Sequence, residues 1–163
     1  MADELSIRRA TGDDADEMAR LRRDMQAELL ATGDRTLALD DAARHNRDYF
    51  REKLPAGEFV AFLAETSGVI AGTSGMVVYR APPTQGNPAG VEGYIMNMYT
   101  VPAYRGQGIA TRLLERLVEN ARGLGARRVW LRASDVGRPV YERFGFGDDP
   151  NYMVFRIPER DAE

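Results

Sequence analysis

The chain has no cysteine, a single histidine and a single lysine. Without thiols it can hold no disulfide, no thiolate-bound metal and no cysteine nucleophile. The lone His45 cannot build a histidine cluster for a metal, and any Ser-His-Asp triad would rest on it alone. It lies in the polar run Ala43-Arg44-His45-Asn46-Arg47, which reads as a solvated helix face. No metal site is expected. Long apolar runs are also missing, since nothing approaches the roughly 18 residues that cross a bilayer. Asp3 and Glu4 stand where a secretory signal needs basic and then apolar residues. These absences predict no membrane partner and a cytoplasmic location.

Of the 22 basic residues one is lysine, Lys53, and the arginines are interspersed with 25 acids for a net charge of -3. That is no nucleic-acid footprint. The arginine bias points to a GC-rich, bacterial genome and leaves each guanidinium available as a phosphate ligand. Apolar residues at 44% and charged residues at 29% of a 163-residue chain predict one globular domain over 1–163.

Leu5 to Arg9 alternates like a half-buried strand, and Thr11 with Asp13 and Asp14 reads as a cap and acidic first turn. Met18, Leu21, Met25 and Leu29 recur at helical spacing up to Leu30, with Gly33 as a stop. Asp40 to Leu54 forms a second helix before Pro55. Phe59–Glu65 and Val69–Tyr79 are β-rich runs joined by Thr66-Ser67-Gly68, a hairpin signal. Arg80 to Gly93 is broken by Pro82, Pro83, Gly86, Pro88 and Gly90 into a surface loop. Glu92–Val101, Gln107–Gly123 and Arg128–Ala133 read as strand, helix and strand, a β-α-β unit with a parallel pair. A short helix over Pro139–Phe144 and a last strand over Tyr152–Ile157 complete the expected elements. Tyr94, Met96 and Met98 alternate with Ile95, Asn97 and Tyr99 in a strand expected to be buried on both faces.

Chemistry concentrates before the helix that begins near Gln107. Ile109, Leu113, Leu114, Leu117, Val118 and Ala121 form its apolar face, so packing fixes its N-terminus. Pro102-Ala103-Tyr104-Arg105-Gly106-Gln107-Gly108 precedes it, with two glycines free to adopt positive φ where unpaired amides point outward. Such a terminus attracts anions. A P-loop is excluded because Gly106 to Ala110 has no lysine, and a dinucleotide fingerprint because its glycine spacing and acidic residue are absent.

The segment resembles the pyrophosphate loop of the GCN5-related N-acetyltransferase (GNAT) family: Arg or Gln, two residues, Gly, one residue, Gly or Ala. Arg105, Gly108 and Ala110 match it. Tyr99-Thr100-Val101-Pro102 before the loop and Tyr141-Glu142-Arg143-Phe144-Gly145-Phe146 after it are similar to that family as well, and the likeness covers about residues 57–157.

The resemblance implies an α/β (α+β) GNAT fold, with a mixed sheet of six or seven strands, about four helices and splayed parallel strands forming an acyl-CoA cleft. It implies acetyl-CoA as the acyl donor. The backbone of Met98, Tyr99, Thr100 and Val101 would pair with the pantetheine arm, the amide near Met98 polarising the thioester. Gly106, Gln107, Gly108, Ile109, Ala110 and Thr111 would hold the pyrophosphate, with Arg105 buttressing the turn or touching phosphate. Ser134 is a candidate for the pantetheine and Arg138 for a phosphate, against an ordinary cap and a solvated arginine. Tyr141 falls where the family's general acid stands. Glu92, thirteen residues before Arg105, has the offset of a catalytic glutamate in one branch of the family, against a solvated residue at the loop's end. The acceptor reading is a small-molecule primary amine, its wall formed by the 80–93 loop and the first two helices. A protein or peptide acceptor and a non-catalytic acyl-CoA sensor are the alternatives. The Pro-rich loop and the terminal strand offer surfaces for a homodimer.

Overall fold

The computed structural model describes residues 4–30 and 36–157, and the side chains of all of these except 36–38. The stop at Gly33 and the tail beyond Ile157 fall outside the described residues. The chain divides into two compact units, Met1–Arg132 and Ala133–Glu163.

The first unit carries a five-stranded sheet in the order β1-β2-β3-β4-β5: Ser6–Arg9, Phe59–Thr66, Val69–Arg80, Val91–Thr100 and Arg128–Leu131. The first four strands are antiparallel neighbours and β5 joins β4 in parallel. Helices α1 (Ala15–Leu30) and α2 (Thr36–Ala56) precede β2, and α3 (Ile109–Gly123) forms the crossover from β4 to β5. Thr11 opens a short 3-10 turn, Gly12–Asp14, where the Asp14 carboxylate accepts the Thr11 amide at 2.8 Å. Pro55 sits in the last turn of α2, which ends at Gly57 with φ +72°. Ser67 and Gly68 both take positive φ, the geometry of a tight two-residue hairpin.

The sheet separates two apolar layers. Phe59, Ala61 and Leu63 of β2 pack with Met18 and Ala19 of α1 and Phe50 and Leu54 of α2. Phe62, between them in sequence, turns to the other side and lies under Arg116 of α3. Ile109, Leu113, Leu114, Leu117 and Ala121 of α3 are buried as their spacing predicts, and Val118 is half-buried. Each fully buried Leu or Ile side chain contributes about 1.5–3 kcal/mol.

Two expectations are corrected. Tyr152–Ile157 forms no strand: no neighbour supplies a ladder, and Met153, Val154, Phe155 and Ile157 are 75–94% exposed. The sheet therefore has five strands among the described residues, not six or seven. No residue of β4 is exposed, and the strand has α1 on one face and α3 on the other, so it is covered on both faces as expected. The segment between β3 and β4 is the expected surface loop, mostly exposed over residues 81–90 and tied across its base. Ala81 N–H donates to Gly90 O at 2.8 Å, and Thr84 and Asn87 exchange backbone bonds at 3.1 Å, closing it as an extension of the hairpin.

In the second unit α4 (Arg138–Phe144) ends at Gly145, with φ +115°. The Gly145 and Phe146 amides both return to Tyr141 O, at 3.1 and 3.0 Å. The Tyr141 and Phe146 rings meet edge to face at 5.9 Å.

Candidate active site

Strand β4 parts from its parallel neighbour halfway along. The β5 ladder covers Glu92 to Ile95 only, so Met96 to Thr100 have no strand partner on that edge while their other edge stays on β3. A bulge marks the same place. Between the pairs Gly75↔Met96 and Thr73↔Tyr99, β3 spends one residue and β4 two, and Asn97 takes φ +59°. Such an insertion switches the face of every residue beyond it. Tyr99 thereby falls on the face of Tyr94 and Met96, three residues from Met96 and yet on the same side. Met98, Tyr99 and Thr100 thus lie on the opened edge, whereas the Val101 amide is spent on Ala71 O at 2.9 Å.

The chain then makes a 3-10 turn, Pro102–Tyr104, and enters α3 through Gly106 and Gly108, both at φ +76°. A Cβ at either glycine would meet nothing within 4 Å, so they are required by conformation and leave the approach open. No side chain caps α3. Its first amides are without intrahelical acceptors and face solvent at the positive end of the helix dipole, which makes them donors for a phosphate. Gly106, Gln107, Gly108 and Thr111 are exposed, Ala110 half-buried and Ile109 buried, so the last anchors the loop through its side chain.

Arg105 folds back over β4 and α1 while staying exposed. Its Nε donates to Thr100 O at 2.9 Å, its terminal nitrogen meets Glu28 at 2.6 Å, and its guanidinium lies 5.6 Å from the Tyr99 ring centre. Of its two expected roles, this geometry is the buttress. The Tyr99 hydroxyl donates to the other Glu28 oxygen at 2.6 Å. Burial first, and then Glu28, push the Tyr99 phenol up to about 12, while Tyr99 and Arg105 hold Glu28 below the ordinary carboxylate value.

Glu92 is tied down in the same manner. It accepts from the Tyr79 hydroxyl at 2.6 Å and from Arg128 at 2.8 Å, and Trp130 Nε1 donates to Tyr79 in turn at 2.9 Å. The Tyr79 bond and then the Arg128 guanidinium hold the Glu92 carboxyl below its ordinary value. A carboxylate with both oxygens engaged and lowered basicity is a poor proton acceptor. Its position fits an anchor joining β3, β4 and β5.

In the second unit the Ser134 hydroxyl accepts the Gly137 amide at 3.2 Å, capping the turn into α4. Arg138 pairs with Asp148 at 3.1 Å and Glu142 at 3.4 Å. Tyr141 is half-buried, and burial raises its phenol above the ordinary value, so the group stays protonated across the neutral range.

A cavity of about 270 Å³ opens on the α1–α2 side of the first unit, lined by Arg22, Asn46, Tyr49, Phe50, Phe59 and Met96. Met96 is the residue just past the end of the β4–β5 ladder. The floor is apolar, with Phe50 2% and Phe59 1% exposed, and Tyr49 stands at the mouth with 36% exposure. None of residues 81–90 contributes, so the hairpin extension is no part of this wall.

The profile of the acetyltransferase (GNAT) family matches residues 19–146. The chain belongs to this family. Among solved GNAT relatives, a predicted acetyltransferase of Clostridium acetobutylicum, crystallised with acetyl-CoA, is 33% identical, with a TM-score of 0.82 over 94% of this chain and 96% of that one. An uncharacterised N-acetyltransferase of Escherichia coli is 27% identical over 86% of this chain and 80% of its own. A glucosamine 6-phosphate N-acetyltransferase of Trypanosoma brucei brucei is 32% identical over 52% of this chain and 56% of its own. The protein is accordingly a GNAT N-acetyltransferase, and its mixed sheet with a parallel β4–β5 pair is the GNAT architecture. No helix among the described residues is long and apolar enough to cross a membrane.

Within this GNAT enzyme the sequence reading missed Arg22, Glu28 and the cavity. Glu28 lies 77 positions before its partner Arg105, and no local pattern announces such a contact. Arg22 carried a weak signal, a charge beside the buried Leu21 on a helix whose inner face is apolar. Asn97 is a buried polar residue in an otherwise apolar stretch of its strand, and its positive φ explains it: Asn tolerates that conformation better than most residues.

Proposed function

We propose that the protein transfers an acetyl group from acetyl-CoA to the primary amine of a small molecule. The cavity at Met96 carries this reading. It is walled by α1 and α2 and abuts the opened stretch of β4, a shape suited to a small acceptor, whereas a peptide would need an open groove. Named acceptors among the relatives, such as glucosamine 6-phosphate, support the same class.

In this reading the amides of Gly106 to Thr111 receive the pyrophosphate, with the Thr111 hydroxyl as a further donor. The freed edge of Met98 to Thr100 receives the pantetheine. Ser134 and Arg138 stand in reserve for the pantetheine and a phosphate. The amine lone pair attacks the thioester carbon, and the oxygen gains negative charge that a β4 amide near Met98 stabilises. A C–N bond forms and the C–S bond breaks. The Tyr141 hydroxyl protonates the departing thiolate and recovers its proton from solvent, while the amine's surplus proton leaves through water. Glu92 serves as the anchor already described. The residues 1–163 act as one acetyltransferase domain in the cytoplasm.

The test uses acetyl-CoA labelled in the acetyl group, incubated with the protein and a panel of amino acids, polyamines, amino sugars and short peptides. Label found as an amide on a small amine supports the proposal. Label confined to peptides overturns it.

A further inference from the structure

Among the described residues that line the cavity one is charged, and it has no ionic partner among them. On α1, Arg20 pairs with Glu17 at 2.6 Å and Asp24 at 2.9 Å, and Arg23 pairs with Asp40. Arg22, on the inward side between them, is half-buried and has neither a hydrogen bond nor an ion pair among the described residues. The ionisable groups that face it are the phenols of Tyr94 and Tyr49, with no carboxylate among them. Burial holds its guanidinium below the ordinary value, as expected of a cation partly stripped of water with nothing in exchange.

A partly desolvated guanidinium is costly unless something pairs with it. Arginine presents a fork of donors that matches a carboxylate or a phosphate in two parallel bonds. Asn46 lines the same cavity and offers both a donor and an acceptor. One turn along α1 from Arg22, the Gln26 side-chain oxygen is also buried without a partner. The remaining lining, Tyr49, Phe50, Phe59 and Met96, is aromatic or apolar and supplies no competing anion.

We infer that the acceptor is an amine that also carries an anionic group, a carboxylate or a phosphate, and that Arg22 is the specificity-determining residue that binds it. The inference rests on the small-amine reading above. The anion would dock on Arg22 and Asn46, leaving the amine to reach past Met96 toward the opened part of β4. The cavity is somewhat smaller than the roughly 300–1,000 Å³ typical of drug-sized sites, so the acceptor is of amino-acid or amino-sugar-phosphate size.

The experiment compares kcat/KM for matched amines with and without the anion: α-amino acids against their carboxamides, and amino-sugar phosphates against the parent amino sugars. One charge-assisted contact in a partly dry site predicts a preference of roughly 10–100-fold for the charged member, expressed in KM. Arg22→Ala should erase the preference while leaving the KM for acetyl-CoA unchanged, and Arg22→Lys should restore part of it. Circular dichroism of both variants establishes that they fold, and the lysine variant alone carries the test if the alanine variant does not. Which series shows the preference separates carboxylate from phosphate. Equal rates on neutral partners, or a preference that survives Arg22→Ala, overturns the inference and leaves the small-amine reading standing. Acetylation of neither series overturns both.

Discussion

The guanidinium of Arg105 meets the carboxylate of Glu28 at 2.6 Å, joining the last turns of α1 to the loop that precedes α3. Glu28 also takes the Tyr99 hydroxyl, so one carboxylate ties together a helix, the bulged strand and the anion-binding turn. Both members of the ion pair are more than 40% exposed, and such pairs contribute about 0–1 kcal/mol to stability. The larger consequence falls on the loop's shape. Glu28→Gln is expected to leave the melting temperature nearly unchanged and to raise the KM for acetyl-CoA several-fold with little change in kcat. Steady-state kinetics beside thermal melts check this.

Tyr141 is expected to act in the chemical step and not in binding. Tyr141→Phe should lower kcat by at least about tenfold, as general acids do, with the dissociation constant for acetyl-CoA unchanged by calorimetry. Burial raises this phenol above its ordinary value of 10, so the wild-type rate should hold through neutral pH and fall only above pH 10. The tyrosine variant should lack that alkaline limb.

Glu92 should behave as an anchor. Its carboxyl is held below the ordinary value of 4.5, so its stabilising contribution is present above that pH and is lost as pH falls through the folded-state value. Glu92→Gln is expected to lower the melting temperature at pH 7, to approach wild type in acid, and to retain turnover within about threefold of wild type, far from the 100-fold or greater loss of a missing base. Melts across pH and a kcat measurement test the two halves separately.

Gly75 opposes Met96 across the β3–β4 ladder, and a Cβ there would come within 2.2 Å of the Phe59 ring. Gly75→Ala must displace that ring, which lines the cavity. Overpacking of this kind costs about 1–3 kcal/mol, or about 2–4 °C of melting temperature per kcal/mol. The acceptor KM should rise while the acetyl-CoA KM stays put.

How much of this was legible in the sequence follows from the range of each interaction. The β4-α3-β5 unit and the Gly106–Gly108 turn were readable because helical periodicity and glycine conformation act over a few residues. Tyr152–Ile157 misled for the same reason: its β-forming side chains are a local preference, and a strand exists only with a partner. The exchange of β4 faces at Asn97 was not legible, since one inserted residue leaves the alternation of residue types intact and alters only the register against β3. Nor was the pairing of Arg105 with Glu28, or the isolation of Arg22, because both depend on where α1 lies against β4.

The central claim is best tested by following release of the free CoA thiol from acetyl-CoA with and without small amines, in wild type and in Gly108→Trp. The substitution forces φ +76° on a residue that resists it and fills the approach to the α3 amides. Thiol release that depends on an amine and vanishes in the variant is the predicted result. A wild-type protein that neither binds acetyl-CoA nor releases thiol with any amine would contradict the account.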